Sequence, residues 1–133
     1  MGQQQLLLIV LGVIIVGIAV VVGINLFNAN ATNANRDGVI SDLNNLGAMA
    51  QQFYKKPVSM GGGGNSFTTS NGAAADWTIP TGLDSTANGT YTATPSPTTV
   101  TIVGLGTEPG EDGSPVQATA TVTATTISVQ VNN

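Results

Sequence analysis

The chain has no cysteine and no histidine, and only three cations, Arg36, Lys55 and Lys56, among its 133 residues. Each scarcity excludes something. Without cysteine there is no disulfide framework, no thiolate nucleophile and no thiolate metal site. Without histidine the commonest general base and the commonest metal ligand are gone. Three cations cannot form the basic stripe that nucleic acid demands, and a net charge of −4 opposes it, so no nucleic-acid partner is expected. Three Phe, two Tyr and one Trp are too few for an electron-conducting path, and no haem-attachment motif is present. No cluster combines a nucleophile, a base and an orienting group, so the chain does not read as an enzyme and calls for no cofactor.

What the sequence has in quantity is an apolar run. Leu6 to Ile24 are nineteen residues without a charge or a polar side chain, and fifteen of them are Leu, Ile or Val. As a helix they span about 28 Å, close to the roughly 30 Å hydrocarbon core of a bilayer. Such a segment is apolar on every face, which a soluble core helix is not. A cleaved secretory signal is the first competing reading, because Ala29-Asn30-Ala31 resembles an A-x-A cleavage site. Against it, the run is longer than a signal core and no Lys or Arg precedes it. The start Met1-Gly2 could suggest myristoylation, but Leu6 stands where that pattern requires Ser or Thr.

The residues after the run argue for more than a plain anchor. Val39, Leu43, Leu46, Ala50 and Phe53 recur at helical spacing, flanked by Ile40, Gly47 and Tyr54. Lys55 and Lys56 suit a helix C-terminus, and Pro57 stops the helix. Asn25 to Asn35 is weak in helix propensity but contains no breaker. The expectation is one continuous helix from about Gln4 to Tyr54, roughly 75 Å long, apolar in its first half and amphipathic in its second. Gly12, Gly17 and Gly23 interrupt the apolar half without forming GxxxG. They read either as the ordinary tolerance of glycine in membrane helices or as points of close helix approach or local unwinding.

From Ser59 onward Thr, Gly, Asn, Ser and Ala dominate. The run "PVSMGGGG" lacks the GK[ST] ending of a phosphate loop and reads as a flexible connector. Alternating patterns predict strands at about 89–94, 98–105, 115–123 and 127–131. Inward positions are Val100 and Ile102, then Ala118, Ala120 and Val122, then Ile127, Val129 and Val131, together covering the helix stripe. Trp77 and Tyr91 read as core or edge packing rather than a ligand platform. The fold class expected is α+β, with residues 1–24 an apolar helix, 25–56 its amphipathic continuation and 57–133 an antiparallel sheet head. Two acidic loops, one with Asp84 and Asn88 and one with Glu108, Glu111 and Asp112, match no calcium loop and read as solvated turns. Of two N-x-[ST] sequons, Asn30 lies close to the apolar run, and Asn88, in a predicted turn, is the better candidate acceptor.

With Gly2 followed by Gln3, the run Leu6–Ile24, the helix "RDGVISDLNNLGAMAQQFYKK" and the turn "YKKPVSMGGGGNSF", the chain resembles the type IV pilin-like family. The resemblance implies cleavage by a prepilin peptidase after Gly2, making Gln3 the mature N-terminus. It also implies residence in the cytoplasmic membrane before assembly, handling by pilus assembly machinery, and polymerisation into an extracellular filament through the apolar helices. Leu6, Leu7, Leu11, Ile14, Ile18, Val21 and Ile24 would then be the assembly core. Leu7 stands where most bacterial members have a glutamate at the fifth mature position, and the leader carries no basic residue. Gln3, Gln4 and Gln5, whose amides both donate and accept, are the candidates to set register instead. The expected function is therefore a structural filament subunit at the cell surface. A monomeric membrane-anchored surface protein or adhesin, and a minor pseudopilin of a secretion system, are the alternatives.

Overall fold

The computed structural model describes residues 2–133. A single helix, α1, runs unbroken over Gly2–Lys55, so the expected continuity holds through both the three glycines and the Asn-rich stretch. It ends where Pro57 adopts an extended backbone (φ −61°, ψ 148°), a residue that cannot continue the ladder. The glycine run expected as a flexible connector instead closes as a hydrogen-bonded cap. The amides of Gly63, Gly64 and Asn65 donate to the carbonyls of Phe53, Lys56 and Tyr54 at 2.8, 3.0 and 2.7 Å, satisfying acceptors that a helix C-terminus leaves open. Gly61 (φ 86°) and Gly64 (φ 59°) supply the left-handed backbone that the reversal needs. At Gly63 a Cβ would lie 1.8 Å from the carbonyl oxygen of Ser66, so no larger residue fits there.

Five strands follow: β1 (Ser85–Thr86), β2 (Gly89–Pro95), β3 (Val100–Pro109), β4 (Pro115–Val122) and β5 (Ile127–Val131). They form one antiparallel meander in sequence order. All four predicted strands are present, within a few residues at their ends. The two-residue β1 has too few positions to show alternation in the sequence. Register lines the inward residues into rows: Ala93, Ile102, Ala120 and Val129 form one, and Tyr91, Gly104, Ala118 and Val131 the next.

The second half of α1 lies across this face. Val39, Leu43, Leu46 and Ala50 are buried against Val100, Ile102, Ala118, Ala120 and Val122, with Phe67, Trp77 and Tyr91 closing the sides. Small residues on the sheet let the helix approach closely. At Gly104 a Cβ would lie 3.0 Å from Val39 Cγ1 and 2.9 Å from the Tyr91 ring. The expected inward row of β5 is on the correct face but is not fully covered. Ile127 and Val129 are half-buried and Val131 is exposed, because β5 is the sheet edge and α1 lies mainly over β3 and β4. The loop before the sheet is held by Trp77, whose amide donates to the Phe67 carbonyl at 2.8 Å, and by the tilted Tyr54–Phe67 ring pair at 4.8 Å.

Candidate functional site

The sheet covers α1 only from about Ala31 onward; residues 2–30 are exposed on every side. At about 1.5 Å per residue that is roughly 43 Å of bare helix. Its richest 18-residue window has a mean hydropathy of 3.3, and none of that window is buried. By length and composition it is a helix able to cross a membrane. Leu6, Leu7, Leu11, Ile14, Ile18, Val21 and Ile24 are each more than half exposed, and Phe27 reaches 73%. At roughly 1.5 kcal/mol or more per large apolar side chain covered, leaving this surface in water costs on the order of 15–20 kcal/mol. So large a contiguous apolar surface marks a contact with lipid or protein. The first charged side chain is Arg36, so no ionisable side chain opposes either contact.

The bare half and the buried half are one register. Gln4, Leu7, Leu11, Ile14, Ile18, Val21, Asn25, Asn28, Thr32, Asn35, Val39, Leu43, Leu46 and Ala50 succeed one another at intervals of three and four, a stripe of period near 3.5. The stripe is apolar, then polar, then apolar again, and the sheet begins to cover it in the polar section. There Thr32 Oγ1 donates to the Pro109 carbonyl at 2.9 Å. Asn35, buried, accepts from the amides of Thr107 and Glu108 at 3.1 and 3.3 Å and donates to the Asn88 carbonyl at 2.8 Å. It sits where the β3–β4 register shifts between Leu105 and Pro109, so its side chain takes up donors that the ladder leaves free. Arg36 donates to the Asn133 carbonyl at 3.0 Å, and Gln51 to the Thr123 carbonyl at 3.1 Å.

A second polar anchor lies about two turns further on. Oδ2 of Asp42 accepts from Tyr91 (2.6 Å), Thr86 (2.9 Å) and Asn88 Nδ2 (3.1 Å). Burial disfavours its charge, but the donors from Tyr91, Asn88 and Thr86 together outweigh that and hold the carboxyl below its usual range. Burial and the bond to Asp42 push the Tyr91 phenol well above its usual range. These bonds fix the direction of α1 relative to the sheet, so the bare half projects from the head as a fixed continuation rather than a tethered tail.

Gln3, Gln4 and Gln5 are exposed on the first turns of α1, beyond the apolar run. Gly2 opens the helix, and Met1, the other half of the expected leader, lies outside the described residues. Asn88 is in the β1–β2 turn, as expected, but its Nδ2 is held by Asp42 and its Oδ1 lies against Gly38. A glycan on that nitrogen would have to break the contact. Asn30 is exposed on α1. In the second acidic loop, Asp112 accepts from the Ser114 amide and Asn133 Nδ2, both at 2.9 Å. No group of three or more acidic residues among those described is arranged to hold a metal.

Sequence reasoning did not single out Asn35 and Asp42. Asn35 carried a signal, as a polar residue on the stripe that becomes the core face. Asp42 carried none, since its three donors come from a turn and a strand more than forty residues away. The chain matches no protein-family model, no curated protein and no solved structure.

Proposed function

We propose that this chain is the structural subunit of an extracellular type IV pilus-like filament, polymerising through residues 3–24 with the Thr-rich heads outward. One observation carries the reading: a single rigid helix is half locked into a folded head and half bare, and the bare half is apolar all round. A plain anchor needs no rigid coupling between its membrane span and its soluble domain. A polymer does, because the packing of the helices then dictates where every head sits. A contact of this kind between copies is heterologous, and a rotation that does not close gives an open helix. Before assembly the same surface resides in the cytoplasmic membrane, from which assembly machinery extracts it.

Mechanical shearing of cells that make the chain, followed by electron microscopy of the released fraction, tests this. Filaments composed of the chain are the expected result. Recovery only as detergent-soluble monomers would instead make it a membrane-anchored surface protein, for which the same span length suffices.

A further inference from the structure

We infer that neighbouring copies along the filament are displaced by about 35 Å, a translation that brings two complementary pairs of surfaces into contact at once; this rests on the filament reading above. The first pair is polar. Within the bare half of α1 the side-chain amides lie only at its two ends, Gln3–Gln5 below the apolar run and Asn25, Asn28 and Asn30 above it, all exposed. At about 1.5 Å per residue, Gln5 and Asn28 are roughly 35 Å apart, and Gln5 and Asn30 roughly 38 Å. Within a bundle of such helices the glutamine amides lose their water, and a buried amide without a partner is costly. At that displacement the glutamines of one copy lie level with the asparagine band of the next. The asparagines at 25, 28 and 30 point in different directions around the helix, so the band offers partners over much of its circumference.

The second pair is charged and belongs to the head. Lys55 and Lys56 are exposed at the far end of α1. The acidic β3–β4 hairpin, with Glu108, Glu111 and Asp112, sits at the near end of the head, level with Thr32, which bonds Pro109 directly. Along the helix axis the lysines and the hairpin are again about 35 Å apart. The sign of the shift is the same. The copy that places its glutamines beside its neighbour's asparagines also places its acidic hairpin beside that neighbour's lysines. Amide pairing within the core and charge pairing between heads thus specify one stagger, which supplies the register that a glutamate at position 7 does not provide.

The absence of native cysteine makes the test direct. Filaments carrying both Gln5→Cys and Asn30→Cys, treated with a short bismaleimide, should give a ladder of covalent multimers, while either single variant should not. A second pair, Lys55→Cys with Glu111→Cys, asks the same of the heads and serves where the core pair fails to assemble. Reversing Lys55→Glu and Lys56→Glu should abolish filaments, and adding Glu108→Lys with Glu111→Lys should restore them. Normal filaments that give no ladder, or that ignore the charge reversal, would overturn the stagger and leave the filament intact. No filaments from the unaltered chain would overturn the filament reading itself.

Discussion

The phenol of Tyr91, on β2, donates a 2.6 Å hydrogen bond to Oδ2 of Asp42, on α1, and so ties the helix to the sheet at the side of the apolar core. Thr86 and Asn88 bond the same oxygen, so one carboxylate orders both the helix and the β1–β2 turn. Asp42→Ala leaves three donors without their acceptor. A loss of about 2–3 kcal/mol is expected, since bonds to a charged group are the stronger ones. Urea unfolding of the detergent-solubilised chain, followed by Trp77 fluorescence, measures it; a loss within 0.5 kcal/mol, the usual range for a surface change, would mean that the anchor is ornamental.

The same pair sets a dependence on pH from both sides. Because the folded carboxyl of Asp42 is held below its ordinary value, its contribution is present above the unfolded pKa of about 4 and is lost as pH falls from there through the folded value. Because the Tyr91 phenol is raised, its contribution is present below its unfolded pKa of about 10 and is lost as pH rises beyond that towards the folded value. Unfolding midpoints should fall at both extremes, and the acid limb should flatten in Asp42→Ala. An unchanged acid limb in that variant would assign it to other carboxyls.

Much of this fold was legible because its signals are periodic. The Val39–Phe53 stripe and the alternation through Thr99–Val131 each repeat often enough to stand out from a composition rich in Thr and Ala. The polar anchors were not, for a physical reason. Asn35 and Asp42 work by satisfying groups brought to them by the register of β3 and the β1–β2 turn, and neither register is a local property of the helix. The glycine cap misled in the same way: four consecutive glycines suggest freedom, but Gly62 and Gly63 are buried because only residues without a side chain fit between Lys56, Phe53 and Ser66.

Asn35 allows a sharper separation of roles. Asn35→Asp keeps the acceptor for the Thr107 and Glu108 amides and loses the donor to the Asn88 carbonyl, whereas Asn35→Ala loses all three. Hydrogen exchange should show Thr107 and Glu108 retaining protection in Asp and losing it in Ala, with Ala less stable by about 1–3 kcal/mol. Equal loss of protection in both would place the effect in the Asn88 bond.

Leu11→Arg places a charge inside the apolar run, between its start and its middle. On an insertion scale a charge costs up to about 2.5–3.5 kcal/mol, the value at the centre of a span, and within a helix bundle it buries an unpaired cation. Both membrane retention and filaments should be lost, while the unfolding of the head stays within 0.5 kcal/mol of the unaltered chain, the range for substitutions away from packed features. Retention and failure of assembly are separable by fractionating the cells, and normal filaments from this variant would remove the apolar helix from the polymer core.

Gly12, Gly17 and Gly23 lie in the part of α1 that touches nothing within the molecule, and a Cβ at any of them would meet no atom within 4 Å. Each costs about 1 kcal/mol of helix stability relative to Ala, yet the helix is continuous through all three. Their unwinding is therefore not a property of the isolated chain, which leaves two functional readings for the filament: unwinding that lets the helix lengthen on polymerisation, and close approach between copies. Small residues permit that where larger ones hold helices apart. Gly17→Leu should accordingly leave the head unaltered and membrane retention intact or stronger, since it exchanges a weak helix former for an apolar one, and should abolish filaments. Gly17→Ala, which adds a single methyl group, should assemble less well than the unaltered chain but better than Gly17→Leu. Filament yield by sedimentation after shearing orders the three. If Gly17→Leu assembled as well as the unaltered chain, the glycines would be tolerated spacers, and the helices would meet along the Leu7–Val21 stripe without close backbone contact.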